Sequence, residues 1–154
     1  MRRSEKEIRE RSGIDGIIHA TEVCRLGLCD HGRPYVVPLN FGYDGEVVYF
    51  HCAPEGRKLE ILRENNRVCL EFDIPEGLVR GEQACNWGMR YRSVLAFGTA
   101  REVADPGERL RGLQVIMSHY SDERFSFPPA MVERTTVIRV DIETITGKQS
   151  PPSS

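Results

Sequence analysis

The chain has 154 residues, 40% of them hydrophobic, with 21 Lys and Arg against 23 Asp and Glu. That length suits one domain with a full core, and the near balance of charge gives no global case for nucleic acid or an acidic membrane as partner. No run approaches the roughly 20 apolar residues of a membrane span. The opening MRRSEKEIRERSG is charged with no apolar stretch behind it, so no signal peptide is expected and a cytoplasmic location follows. The five cysteines, Cys24, Cys29, Cys52, Cys69 and Cys85, form no C-x-x-C pair. Most lie in strand-like runs, which suits reduced, buried thiols rather than disulfides or a metal site.

In chain order, a short amphipathic helix is expected around Asp15–Thr21, then a strand in VCRLGLCD. The turn DHGR leads to a strand in PYVVPLNFGY, and YDGE leads to another in EVVYFHCA. Asp44-Gly45 between two alternating apolar runs is a hairpin signal. A helix over 56–65 precedes a strand at Arg67–Ile74. Residues 75–90 are less regular and carry Trp87. A long strand follows at Tyr91–Val103. Asp105-Pro106 caps a helix reaching about Tyr120, whose apolar face holds Leu110, Leu113, Ile116 and Met117. The last strand is TTVIRVDIETITG. Residues 1–148 then form one domain, and 149–154 a polar, frayed tail. Six or so mostly antiparallel strands with two or three helices indicate a mainly β fold, a barrel with peripheral helices.

The hairpin predicts two faces. If Tyr43 pairs with Glu46, then Phe41 faces Val48, Leu39 faces Phe50 and Val37 faces Cys52, which makes one wholly apolar face. The opposite face carries Pro38, Asn40, Tyr49 and His51. Pro38 deletes a ladder donor, so it belongs at an edge or an interruption. Main-chain groups near it are free for a flat heterocycle, although a bulge at a corner would read the same way.

Arg57 and Lys58 follow Gly56 where a helix begins, against a dipole that is already positive there. They read either as an anion site, with a phosphate dianion as the natural occupant, or as two solvated cations. His51 lies on the same strand, on the face away from the core, and could contact a ligand or move a proton near neutral pH. Trp87, Met89, Tyr91, Arg92 and Ser93 form an aromatic and cationic cluster suited to a planar ring, a phosphate or an interface. Lys148 could add one more cation, or be an ordinary surface lysine. His19, His31 and His119 have no evident convergent partners and read as structural. No dinucleotide-fold, P-loop or zinc-protease motif is present.

From Cys24 to Lys148 the residues resemble a known family. The runs CRLGLCDHGRPYVVPLNFGYDGEVVYFHCAPEGRKLEILRENNRVCLEFD, CNWGMRYRSVLAFGTAREV and the closing ITGK are similar to the 5-nitroimidazole-resistance family. That family lies within the pyridoxamine 5′-phosphate oxidase-like, FMN-binding split barrels. The resemblance implies a six-stranded split barrel and a homodimer with FMN at the subunit interface. It places Val37, Pro38, Leu39 and Asn40 beside the isoalloxazine ring and Arg57 and Lys58 on the phosphate. His51 becomes the active-site histidine, and Arg92, Ser93 and Lys148 become further cofactor contacts. Cys52 departs from the expected small residue such as serine, and its side chain should point into the core. The implied activity carries electrons from a nicotinamide donor through FMN to a small acceptor such as a nitroaromatic. A flavin-storage or sensing protein, or a barrel using deazaflavin or haem, remains the alternative.

Overall fold

Alternating apolar residues along six long runs give six long strands in the computed structural model, which describes residues 4–150. The elements are β1 (Glu7–Ile8), α1 (Arg11–Ala20), β2 (Cys24–Asp30), β3 (Arg33–Leu39), β4 (Gly42–Tyr43), β5 (Val47–Cys52) and α2 (Arg57–Glu64). They continue with β6 (Arg67–Val79), β7 (Gly88–Glu102), α3 (Pro106–Tyr120), α4 (Pro129–Arg134) and β8 (Thr136–Ser150). The strands form one sheet in the order β3-β2-β6-β7-β8-β5-β4, with β1 added to the end of β8, and every pairing is antiparallel. The two outermost strands, β3 and β4, are consecutive in the chain and joined only by Asn40 and Phe41. Residues 33–43 therefore act as one bent strand that pairs first with β2 and then with β5. The sheet is drawn together at β4 and left split between β3 and the end of β5. This is a split barrel.

The hairpin register differs from expectation. Tyr43 lies opposite Val48 rather than Glu46, and Gly42 opposite Tyr49. The turn moves one residue along because Asp44 organises it. Its Oδ1 accepts from the amides of Glu46 (3.1 Å) and Val47 (2.9 Å), and its own amide donates to the Val47 carbonyl (3.2 Å). Gly45 takes φ 103°, which suits glycine. The pairing of Leu39 with Phe50 and of Val37 with Cys52 does not occur, since β3 runs beside β2. Each partner shifts by an even number of positions, so the expected apolar face survives. Leu39, Phe41, Val48 and Phe50 are buried in the main core, with Val37 and Cys52 packed against it. Helix α1 fills the same core with Ile14, Ile17 and Ile18.

Tyr49 corrects the second face. It is buried with Val47, Val137, Leu113, Ile116 and Val132 in a separate apolar cluster under α3 and α4. His51, two residues on, is exposed. Helix α3 lies close enough that a Cβ on Gly42 would come within 2.5 Å of the Val115 and Ile116 backbone. A Cβ on Gly112 would come within 2.9 Å of Tyr49 and Val137.

Other boundaries also moved. α1 begins at Arg11, and α4 was not anticipated. Of residues 75–90, expected to be less regular, 75–79 and 88–90 extend β6 and β7 as a two-stranded ribbon in which Leu78 faces Met89 and Val79 faces Gly88, while 80–87 form the irregular loop that joins them. β8 continues through Ser150, since Gln149 and Ser150 pair with Arg92 and Tyr91 instead of fraying. The rest of the tail, 151–154, lies outside the described residues. Among the described residues no helix is long and apolar enough to cross a membrane.

The cysteines are free, but they are not uniformly buried: Cys24 is, Cys52 and Cys69 are half-buried, and Cys29 and Cys85 are exposed. Burial pushes the Cys24 thiol up to about 12, so it stays protonated at ordinary pH. Native protein at about pH 8 should lose Cys29 and Cys85 to a thiol reagent, with Cys24 labelled only after unfolding; early labelling of Cys24 would contradict its place in the core. Gly42→Ala should destabilise the fold by on the order of 1–3 kcal/mol, because helix backbone, not a flexible side chain, occupies the space a methyl needs. Thermal unfolding measures this, and an unchanged midpoint would argue against such close docking of α3.

Candidate functional site at the sheet split

Where β3 and β5 diverge, each has an unpaired edge. β5 meets β4 only at Val48 and Tyr49, so Phe50, His51 and Cys52 pair with β8 on one side alone. β3 pairs only with β2. The chain leaves β5, and α2 begins across the mouth of this gap. The Arg57 guanidinium stands 5.3 Å over the Tyr35 ring on β3, and Lys58 Nζ stands 5.3 Å from the Phe50 ring on β5. Two consecutive cations thus touch the two sides of the split.

The start of α2 is uncapped. Gly56, at φ 132°, supplies no side-chain acceptor, and its carbonyl serves the amides of Leu59 and Glu60. The amides of Arg57 and Lys58 have no such partner among the described residues. Helix α3 is the contrast: Asp105 accepts from the Glu108 amide at 2.8 Å. A helix start with open amides, a positive dipole end and two cations is the donor set a phosphate requires. The residues present fit that group.

One internal anion already leans on the site. Asp30, at the end of β2, accepts from Arg57 Nη2 at 3.0 Å and lies 2.9 Å from His31 Nδ1. His31 Nε2 is 3.3 Å from Glu64, at the far end of α2. The hydrogen bond with His31, followed by that with Arg57, holds the Asp30 carboxyl below its usual range, and Asp30 in turn raises the His31 pKa. His31 therefore has partners the sequence did not reveal. Asp30 and Tyr35 were missed as well. No local motif signals them, because their contacts join the β2–β3 turn to a helix far along the chain.

The exposed edge of β3 carries a second kind of donor and acceptor. Pro34 and Pro38 occupy alternating positions opposite Cys29 and Arg25 of β2. A proline is tolerated in a ladder only where its nitrogen points away from the partner strand. By that parity the carbonyls of Pro34, Val36 and Pro38 and the amide of Val36 face the gap. The side chains of Val37 and Leu39 turn inward to the core and, by the same parity, their main-chain groups face β2, so neither of these two expected contacts offers a free group at this edge. Pro38 and Asn40 are exposed. His51 is exposed on β5, and among the described residues no side-chain hydrogen bond ties it down.

Three expected contacts do not join this group within one chain. Ser93 lies on β7 opposite Lys148 of β8, whereas His51 lies opposite Val137 near the other end of β8. Val137 and Lys148 are separated by about 36 Å of strand at the usual rise. Arg92 is paired with Glu76 at 2.7 Å, and Lys148 Nζ sits 5.6 Å over the Tyr91 ring. Trp87 donates to the Gly81 carbonyl at 2.8 Å on the exposed ribbon, away from the split. On the outer face of the sheet, Val36, Gly27, Cys69 and Phe97 lie opposite one another on successive strands. Val36, Phe97 and nearby Leu95 are 62%, 49% and 41% exposed, an apolar strip of the kind that marks an interaction surface.

Known proteins share this architecture. A candidate 5-nitroimidazole antibiotic resistance protein from Bacteroides thetaiotaomicron is 37% identical, with a TM-score of 0.84 over 93% of this chain and 86% of its own. A flavocytochrome from Azotobacter vinelandii is 25% identical, with a TM-score of 0.78 over 96% of this chain and 72% of its own. An FAD-binding protein from Mesorhizobium loti is 26% identical, with a TM-score of 0.66 over 92% of this chain and 95% of its own. Among curated proteins, an uncharacterized protein of Rhizobium meliloti matches at 30% identity over 65 residues, 42% of either chain. The family model described as pyridoxamine 5′-phosphate oxidase matches residues 10–149, and the chain belongs to that family.

Proposed function

We propose that the protein is a cytoplasmic FMN-dependent oxidoreductase, a homodimer that passes electrons from a nicotinamide donor to a small acceptor such as a nitroaromatic. The observation that carries this reading is the uncapped, doubly cationic start of α2 spanning the split between β3 and β5. Arg57, Lys58 and the open amides hold the phosphate. The exposed edge of β3 from Val36 to Asn40 meets the flat ring, with the Val36 amide as donor and the Val36 and Pro38 carbonyls as acceptors, while Val37 and Leu39 back it from the core side. Bound FMN would supply the two-electron chemistry that no side chain here can provide. His51, untethered and exposed beside the split, orients the acceptor or delivers a proton to it. A flavocytochrome at 25% identity and an FAD-binding protein at 26% support flavin as the cofactor class.

Arg92, Ser93 and Lys148 enter from a second copy. Their distance along β8 from His51 is too great for one chain to bring both groups to one ligand, and the exposed strip of Val36, Leu95 and Phe97 offers a surface for pairing. A shared site also explains why Arg92 and Ser93 sit where the sheet gives way to the exposed ribbon.

Purified protein mixed with FMN should show a flavin spectrum that bleaches with a nicotinamide donor and recovers with a nitroaromatic. Arg57→Ala and Lys58→Ala should each weaken FMN by about 1.5–3 kcal/mol, roughly 10- to 150-fold. Unchanged affinity would remove the phosphate assignment. His51→Ala should keep FMN bound while slowing reoxidation by the acceptor; full turnover in that variant would end its assigned role. A chromophore other than flavin would favour the deazaflavin or haem alternative, and flavin without turnover would favour storage or sensing.

A further inference from the structure

Three separate elements fix Arg57. Its backbone belongs to the first turn of α2, its guanidinium carbon lies 5.3 Å from the centroid of the Tyr35 ring of β3, and its Nη2 donates to Asp30 of β2 at 3.0 Å. We propose that Asp30 is a positioning residue, which holds the Arg57 guanidinium against Tyr35 in the orientation that receives the flavin phosphate. This rests on the phosphate seat proposed above.

Two effects of Asp30 oppose each other. Its negative charge repels a nearby phosphate, while its hydrogen bond removes rotamer freedom that Arg57 would otherwise lose on binding. The surroundings favour the second effect. Each Asp30 oxygen is separately engaged, Oδ2 by Arg57 and Oδ1 by His31, so much of its charge is answered inside the cluster. Only Nη2 of Arg57 is committed to Asp30, which leaves the rest of the guanidinium fork for an anion. The turn bearing Asp30 is itself anchored to α2. Asn65 Nδ2 donates to the Cys29 carbonyl at 3.2 Å, and His31 approaches Glu64. Asp30 therefore stands at a fixed place relative to the helix it steadies.

The test compares FMN with riboflavin, which has the same ring but no phosphate, by quenching of flavin fluorescence. Asp30→Asn should weaken FMN by about threefold to fivefold, the range expected for a partly exposed ion pair, and leave riboflavin affinity unchanged. Asp30→Glu should recover most of the lost FMN affinity. In an Arg57→Ala background, Asp30→Asn should change nothing further. FMN affinity that is unchanged or tighter in Asp30→Asn, while Arg57→Ala still weakens it, would overturn the positioning role and leave the phosphate seat standing. Equal losses for FMN and riboflavin would mark Asp30 as merely structural and also overturn the role. A wild-type chain with no preference for FMN over riboflavin would overturn the phosphate seat itself, and the role of Asp30 with it.

Discussion

The geometry of the site depends on one topological constraint: residues 33–43 cannot pair with β2 and β5 over the same length. The strand leaves β2 after Leu39 and reaches β5 at Gly42. Between those ladders it must bend, and on the β3 side of the bend an edge stays unpaired. An open edge ordinarily invites another strand. Here prolines at 34 and 38 make it a poor template for strand addition while leaving carbonyls available. The gap is therefore a consequence of how the barrel is drawn together.

Electrostatics then gives the gap its sign. Arg57 and Lys58 at a helix start work against the dipole, and an uncapped Gly56 does nothing to relieve it. Asp30 provides partial relief from a neighbouring turn. Elsewhere on the surface the protein solves the same problem differently: α3 begins with Asp105 and Glu108, and Glu108 also meets Arg101 and Arg139, each at 2.8 Å. Both helices carry one first-turn carboxylate, Glu60 in α2 and Glu108 in α3, but α3 is also capped by Asp105, whereas α2 is uncapped and opens on two cations. That contrast is what an external anion would explain.

Much of this was legible in the sequence because it follows from parity. The alternation of Leu39, Phe41, Val48 and Phe50 fixes which side chains enter the core whatever the register, since Asp44 moves the partners by an even step. Gly56-Arg57-Lys58 after a strand could be read locally too, because a helix start and the cations placed on it are adjacent in sequence. What could not be read depends on long-range packing. Tyr49 shares parity with His51, yet α3 covers one and leaves the other exposed, and no local pattern records where α3 lies. Asp30 meets Arg57 only through tertiary structure. The ribbon past Ile74 keeps its ladder although Pro75 and Gly77 interrupt the alternation, with a register shift between them.

Placing Ser93 and Lys148 far along β8 from His51 makes the account a claim about two chains. Mixing one variant defective at Arg57 and Lys58 with another defective at Ser93 and Lys148 tests it directly. Each defective pair alone should bind FMN weakly. After subunit exchange, mixed dimers should regain one intact seat each, so that about one site in four binds FMN with native affinity. Mixtures that bind no better than the separate variants would contradict a cofactor seat built from both copies.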